Sequence, residues 1–248
     1  MNIVWQEAAA AVTAQVVRIE TPRGFGTGFV THSAHDLRGV ATAYHIIEEA
    51  VKEDLLITVH YGENNTVVMG PGSERERLVI RGDPKNSDSG LLLFPNASDL
   101  PEPQVKTIQY GNTMLPATEV AWIGFPDLVP DKPCFFSGRI SANLDDNSGA
   151  YLIDGVAISG VSGGPIFFLG SGGEPIIIGS ISGYRYNLTL ESIHYNGSGI
   201  ESDHMIALPG MSDANDVSLV TRFEIKEAPD SGTSPISERI RFRLHPPE

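Results

Sequence analysis

Short apolar runs, each closed by glycine, proline, asparagine or aspartate, recur along most of the chain and constrain its fold more than any other feature. Leu91-Leu92-Leu93-Phe94, Ile166-Phe167-Phe168-Leu169 and Ile176-Ile177-Ile178 have the length of buried strands. The breaks come from 26 Gly and 17 Pro, with Asn and Asp between them, and this pattern predicts an all-β architecture. Helical signal is confined to Gln6-Glu7-Ala8-Ala9-Ala10-Ala11-Val12, rich in good helix formers, and to Ile46–Lys52. At 248 residues the chain suits one or two domains, and paired β-barrels run this long as one unit. A hydrophobic share of 41% is enough for a sizeable core.

One glycine-rich stretch carries chemistry. Ser159-Gly160-Val161-Ser162-Gly163-Gly164-Pro165 leads directly into the strand Ile166–Leu169. Glycines on both sides of Ser162 let the backbone bend tightly, so that amide N–H groups can converge beside the hydroxyl. An oxyanion hole needs that geometry, because its donors must be in place before charge develops on the substrate carbonyl. A nucleophilic serine also needs a base and an orienting acid. His45 lies in Ala41-Thr42-Ala43-Tyr44-His45-Ile46-Ile47, at the end of a strand or on the first turn of a helix. Asp88 lies in Ser87-Asp88-Ser89-Gly90-Leu91, at the mouth of the next apolar strand. Asp83 is the rival acid, but Asp83-Pro84 reads as a turn. Each motif alone has a bland reading as core histidine, turn former or loop; the ordered set of three at strand ends does not. Gly170-Ser171-Gly172-Gly173-Glu174-Pro175 offers a second Gly-Ser-Gly element, yet it sits between two apolar strands and a hairpin loop explains it.

The charge balance is strongly acidic, with 17 Lys+Arg against 31 Asp+Glu and a formal net charge of −14. That argues against nucleic-acid and anionic-membrane partners. Glu48-Glu49 and Asp145-Asp146 read as solvated faces. His32 and His35 fall in an expected hairpin loop, no cluster has metal-ligand spacing, and no metal or cofactor is expected. The single cysteine, Cys134, excludes an intrachain disulfide and suits a reducing compartment; within Pro133-Cys134-Phe135-Phe136 it reads as a buried small hydrophobe. The first residues lack the basic and apolar regions of a secretory signal, and no run approaches a membrane span. The expectation is a soluble, cytoplasmic protein.

These motifs resemble the trypsin-like serine peptidases of the chymotrypsin fold, and among them the bacterial HtrA/Deg type, from about Val16 to Pro209. Gly24-Phe25-Gly26-Thr27-Gly28-Phe29-Val30 is similar to the family's early glycine-rich hairpin. Val120–Pro126 and Ser137–Ser141 are similar to second-barrel strands, Gly179–Gly183 to the strand that pairs with a bound substrate, and His204–Pro209 to the closing strand. Asp154, eight residues before Ser162, matches an aspartate at that spacing in this branch and is expected to pack structurally.

The resemblance implies two six-stranded Greek-key β-barrels with the site between them, a short N-terminal helix and an extra C-terminal hairpin. Residues 1–100 would form the helix and first barrel, 101–212 the second barrel, and 213–248 the extension. It implies a serine endopeptidase in which Ser162 attacks, His45 acts as base and then acid, and Asp88 orients His45. The N–H groups of Gly160 and Ser162 would form the oxyanion hole. Val156 at the base of the S1 pocket, with Ser182 and Gly183 beside it, would favour cleavage after small or medium apolar residues. Val161 stands where the digestive enzymes carry the aspartate that pairs with a freed N-terminus, so that mode of activation is not expected. The chain left after the protease domain is too short for a PDZ module.

The tail lies beyond the resemblance. Val217–Lys226 and Arg239–His245 alternate apolar and polar residues, as strands with one buried face do, and Ala228–Pro235 reads as the loop between them. The hairpin either covers the barrels or recruits a regulatory partner or another copy by strand addition, with its arginines on one face. Polypeptide is the expected substrate. The alternative function is a latent or inactive protease-fold module that binds peptides or partners and needs an activator. An α/β-hydrolase esterase fails on motif order, since that fold places its acid after the serine and its histidine last.

Overall fold

The computed structural model of the chain describes all residues except 1–2, 35–36, 74–77, 83–86, 96–98, 109–113, 145–149, 156, 186–187, 192–203, 208–210, 217–222, 228–239 and 245–248. Helix α1 (Ile3–Thr13) leads into three consecutive antiparallel strands, β1 (Val16–Thr21), β2 (Gly24–Ala34) and β3 (Leu37–Ala43). Helix α2 (Tyr44–Lys52) follows without a break, then β4 (Ile57–Tyr61), β5 (Asn65–Met69), β6 (Leu78–Arg81) and β7 (Ser89–Pro95). Strand β4 returns to lie beside β1, so β4-β1-β2-β3 is a Greek key within a sheet ordered β5-β4-β1-β2-β3-β7-β6.

The second half repeats this logic. It contains β8 (Lys106–Thr107), β9 (Glu119–Gly124), β10 (Cys134–Leu144), β11 (Ala150–Asp154), β12 (Pro165–Leu169), β13 (Pro175–Arg185), β14 (Leu188–Glu191), β15 (His204–Ala207) and β16 (Met211–Asp216). Strand β12 lies beside β9, which makes β12-β9-β10-β11 a second Greek key. The long β13 pairs with β12 along Pro175–Ser180 and with β16 along Gly179–Arg185. Because β16 also pairs with β11, six strands close into a ring, to which β8 is added parallel to β13. Sequence reading expects six strands per barrel. The first sheet carries seven, and the second is a six-stranded ring plus β8.

The closing strand is also displaced. His204–Pro209 is expected to close the second barrel, but among the described residues β15 pairs with β14 alone, in a separate two-stranded sheet, and Pro209 lies outside the described residues. The strand inside the ring is β16, Met-Ser-Asp-Ala-Asn-Asp, which runs across the expected boundary at residue 212. It takes strand form because β11 and β13 hydrogen-bond it from both sides.

Period-two alternation sorts the core into three clusters. In β7, Leu91 and Leu93 face one cluster while Leu92 and Phe94 face another. In β9, Ala121 and Ile123 face that same first cluster, whereas Val120 and Trp122 point into the second barrel. The shared cluster is therefore the seam between the barrels, and α1 joins it through Ala8 and Val12. This explains the unbroken apolar runs: both faces of these strands are buried, so neither can be polar. Helix α1 is longer than expected and is part of this seam.

Cys134 corrects a further expectation. It is half-buried at the start of β10, where half-buried and exposed residues alternate, and so is not a core residue. Gly170–Glu174 forms the expected hairpin loop, closed by the Gly170 N–H donating to the Glu174 carbonyl at 2.8 Å. In the tail, β17 (Phe223–Glu227) and β18 (Ile240–Leu244) pair antiparallel in a sheet of their own; the rest of the expected strands and their loop lie outside the described residues. Among the described residues, no helix is long and apolar enough to cross a membrane.

Candidate active site

Strand register brings His45 and Asp88 together. Strands β3 and β7 pair from Leu37 with Pro95 to Ala43 with Ser89, and the Tyr44 N–H extends the ladder by donating to the Asp88 carbonyl at 2.9 Å. His45 is then the second residue of α2, one of the first four whose N–H has no partner inside the helix. Ala43 provides no side-chain cap. Asp88 does so from the neighbouring strand: its Oδ1 accepts the His45 backbone N–H at 2.9 Å, and its Oδ2 lies 2.6 Å from Nδ1 of the same residue's ring. A carboxylate is favoured there because the helix N-terminus carries partial positive charge. Opposite a carboxylate Nδ1 is the donor of this pair, so in the neutral imidazole the lone pair lies on Nε2. The pair is open to solvent, with the His45 side chain 46% and the Asp88 side chain 32% exposed.

Oδ2 has a second donor, Ser182 Oγ at 2.9 Å. The β13–β16 ladder slips between Ile181 and Gly183, so Ser182 is the extra residue of a β-bulge. Bulges re-aim side chains, and this one turns the hydroxyl to the carboxylate. Sequence reading places Ser182 with the substrate-binding residues, on a strand expected to pair with substrate through its backbone; its side chain is engaged with Asp88. Gly183 borders open space, since a Cβ built there meets nothing within 4 Å. Val156 and Asp83 lie outside the described residues. Gly155 packs where a Cβ would come within 2.3 Å of Trp122 Cη2. Asp154 is exposed at the end of β11, opposite Arg139.

The loop carrying Ser162 comes from the second barrel, and its peptides are anchored one by one. The Ser159 carbonyl accepts the Asp127 N–H at 2.9 Å, and the Val161 carbonyl accepts the Gly164 N–H at 2.9 Å. In a trans peptide the N–H points away from the C=O, so these bonds fix the directions of the Gly160 and Ser162 N–H groups. Among the described residues neither N–H has a backbone acceptor. Gly160, at φ +88°, and Gly163, at φ +84°, adopt the left-handed conformation that glycine reaches without strain. Gly163 has a steric reason as well, because a Cβ there would lie 2.0 Å from the Thr27 carbonyl oxygen. Strand β13 holds the loop from the other side, with the Gly163 N–H donating to the Ile181 carbonyl at 2.6 Å and the Ile181 N–H to the Gly164 carbonyl at 2.9 Å.

Residues 26–174 match the trypsin-like peptidase domain, more than half of the chain. The chain belongs to the trypsin-like peptidase family. A search of curated proteins finds no match. Solved structures agree on the fold. Deg5 superposes with a TM-score of 0.58 at 18% identity, covering 89% of this chain and 92% of that one. An inactive serine-to-alanine form of Rv3671c from M. tuberculosis H37Rv gives 0.56 at 20%, covering 88% and 89%. A serine endoprotease from Yersinia pestis gives 0.56 at 18%, covering 90% and 71%. The family member described here has the paired-barrel fold of these HtrA/Deg-type proteins.

Proposed function

We propose that this trypsin-like family member is a serine endopeptidase working through an acyl-enzyme. Ser162 attacks the scissile carbonyl while His45 takes its proton; His45 then returns a proton to the leaving amine. Asp88 fixes the imidazole tautomer and stabilises the imidazolium. The N–H groups of Gly160 and Ser162 receive the developing oxyanion. The observation that carries this reading is the Asp88 carboxylate bound to both the ring and the backbone N–H of His45. The anchored carbonyls of Ser159 and Val161 weigh against the latent alternative, in which this loop is collapsed.

Finer points belong to the same proposal. Open space at Gly183, together with Val156 six residues before Ser162, supports a preference for small or medium apolar P1 residues. A lone cysteine supports a cytoplasmic setting, and the resemblance to the bacterial HtrA/Deg type supports a bacterial one. Arg241 and Arg243, at alternate positions of β18 on a chain of net charge −14, support self-association or partner binding through the extension. A solution mass that Arg241→Glu with Arg243→Glu leaves unchanged would argue against the self-association.

The test is reaction with a fluorophosphonate probe, read by intact mass beside Ser162→Ala and His45→Ala. One adduct on the wild type that both variants lose is expected. No adduct on folded wild type would overturn the reading.

A further inference from the structure

Thr27 is fully buried in the glycine-rich β2, in the first barrel, yet its N–H and hydroxyl both reach the Ser162 loop of the second. Its N–H donates to the Ser162 carbonyl at 2.8 Å. Its hydroxyl donates to the Gly160 carbonyl at 2.7 Å and accepts the Phe125 N–H at 2.9 Å. Its own carbonyl accepts the Thr42 hydroxyl at 2.7 Å, which fixes the residue to β3. In the proposed mechanism Gly160 and Ser162 are the two residues whose N–H groups receive the developing oxyanion. Thr27 therefore grips the carbonyl of each.

Two carbonyl anchors bracket each of these residues. For Gly160, the preceding peptide is held through Ser159 O by Asp127, and the following one through Gly160 O by the Thr27 hydroxyl. For Ser162, the preceding peptide is held by Gly164 and the following one by the Thr27 N–H. Fixing both flanking planes fixes φ and ψ, and with them the direction of the N–H. Space enforces the arrangement too: a Cβ on Gly124 would come within 2.9 Å of Thr27 Oγ1. Water has no room to replace the hydroxyl at a site that is 0% exposed.

We infer that Thr27 is a positioning residue for the oxyanion hole, its hydroxyl holding the Gly160 peptide so that the Gly160 N–H stays aimed at the substrate oxygen. This deepens the peptidase reading and rests on it. A hydroxyl that pre-aims a donor matters where charge develops and not where the ligand first docks. Its loss should lower the rate of the covalent step and leave the preceding encounter alone. That distinguishes it from a residue that only stabilises the fold.

The experiment separates kinact from KI for a fluorophosphonate probe in wild type, Thr27→Val, Thr27→Ser and Val59→Ala. Val59 is a buried residue of the first barrel, away from the loop, and its truncation controls for lost stability. The expected result is a kinact about tenfold lower in Thr27→Val at unchanged KI, recovered to within about twofold in Thr27→Ser and retained in Val59→Ala. Thr27→Ala takes the place of the valine variant should that one not fold, with the same expectation. An inert wild type overturns the peptidase reading and this inference with it. A reactive wild type matched by the valine or alanine variant overturns this inference alone, as does a Val59→Ala protein that slows equally.

Discussion

Replacing Asp88 with asparagine tests the chemistry of the site with little change of shape. The carboxylate accepts three hydrogen bonds, one at Oδ1 from the His45 backbone N–H and two at Oδ2, from the His45 ring and Ser182 Oγ. An amide has two orientations in the same space. With its oxygen at the Oδ2 position it keeps the ring and serine bonds, but its NH2 then faces the His45 backbone N–H, a donor that cannot reverse. With its oxygen at the Oδ1 position the backbone bond survives and the NH2 faces Nδ1 and Ser182 Oγ, both of which can become acceptors. The first orientation loses one bond and opposes two donors, at about 1–3 kcal/mol; partial exposure of Asp88 favours the lower part of that range. The second is therefore favoured by roughly five- to thirtyfold, from about 1–2 kcal/mol. It places the imidazole proton on Nε2, where the base must have a lone pair. The tautomer shift alone should slow fluorophosphonate labelling about five- to thirtyfold, and losing the carboxylate charge opposite the imidazolium takes the total for Asp88→Asn toward about 10⁴, while its Tm stays within about 3 °C of the wild type. Labelling within tenfold of the wild type, or a Tm drop like that of a core truncation, would refute the orientation argument.

Three other outcomes are expected. Ser182→Ala, which leaves Asp88 Oδ2 with one donor, should slow labelling about fivefold at an unchanged Tm; an unaltered rate would show that the bulge is only architectural. Gly163→Ala would force a Cβ toward the Thr27 carbonyl at positive φ, and should abolish labelling and lower the Tm measurably by calorimetry. Phe167→Ala empties a fully buried position in the seam between the barrels, at about 3–5 kcal/mol and about 10 °C of Tm in a domain of this size; a loss under 3 °C would mean that the seam refills.

His45, Asp88 and Ser162 stand out in the chain because each sits in a distinctive local context (small residues before a helix, a turn before a buried strand, glycines around a serine), and the fold joins the first two. Thr27 and Thr42 gave no such sign. A threonine inside a strand is an ordinary β-former, and the Thr27–Gly160 bond joins residues 133 positions apart in sequence. Ser182 was legible as part of a strand, but its aim depends on a bulge that only pairing with β16 creates. Strand β16 itself was illegible, since Met-Ser-Asp-Ala-Asn-Asp has the composition of a loop and is a strand only because two neighbours hold it. Alternation without its exposed face likewise gave Leu91–Phe94 as buried while hiding that its two sides serve different barrels.

The ring closure through β13 and β16 also orders events in time. On a ribosome the first sheet, with His45 and Asp88, has all its strands once residue 95 has emerged, and N-terminal units generally fold first. Ser162 comes later, but its loop leans on Ile181, and the strand bearing Ile181 is held by residues 211–216. A nascent chain therefore carries the proposed base and acid without a set nucleophile loop until nearly all of the second ring has been synthesised. In the proposed reading the site is disarmed by its own incompleteness, and neighbours on the polysome are shielded from it until the ring closes.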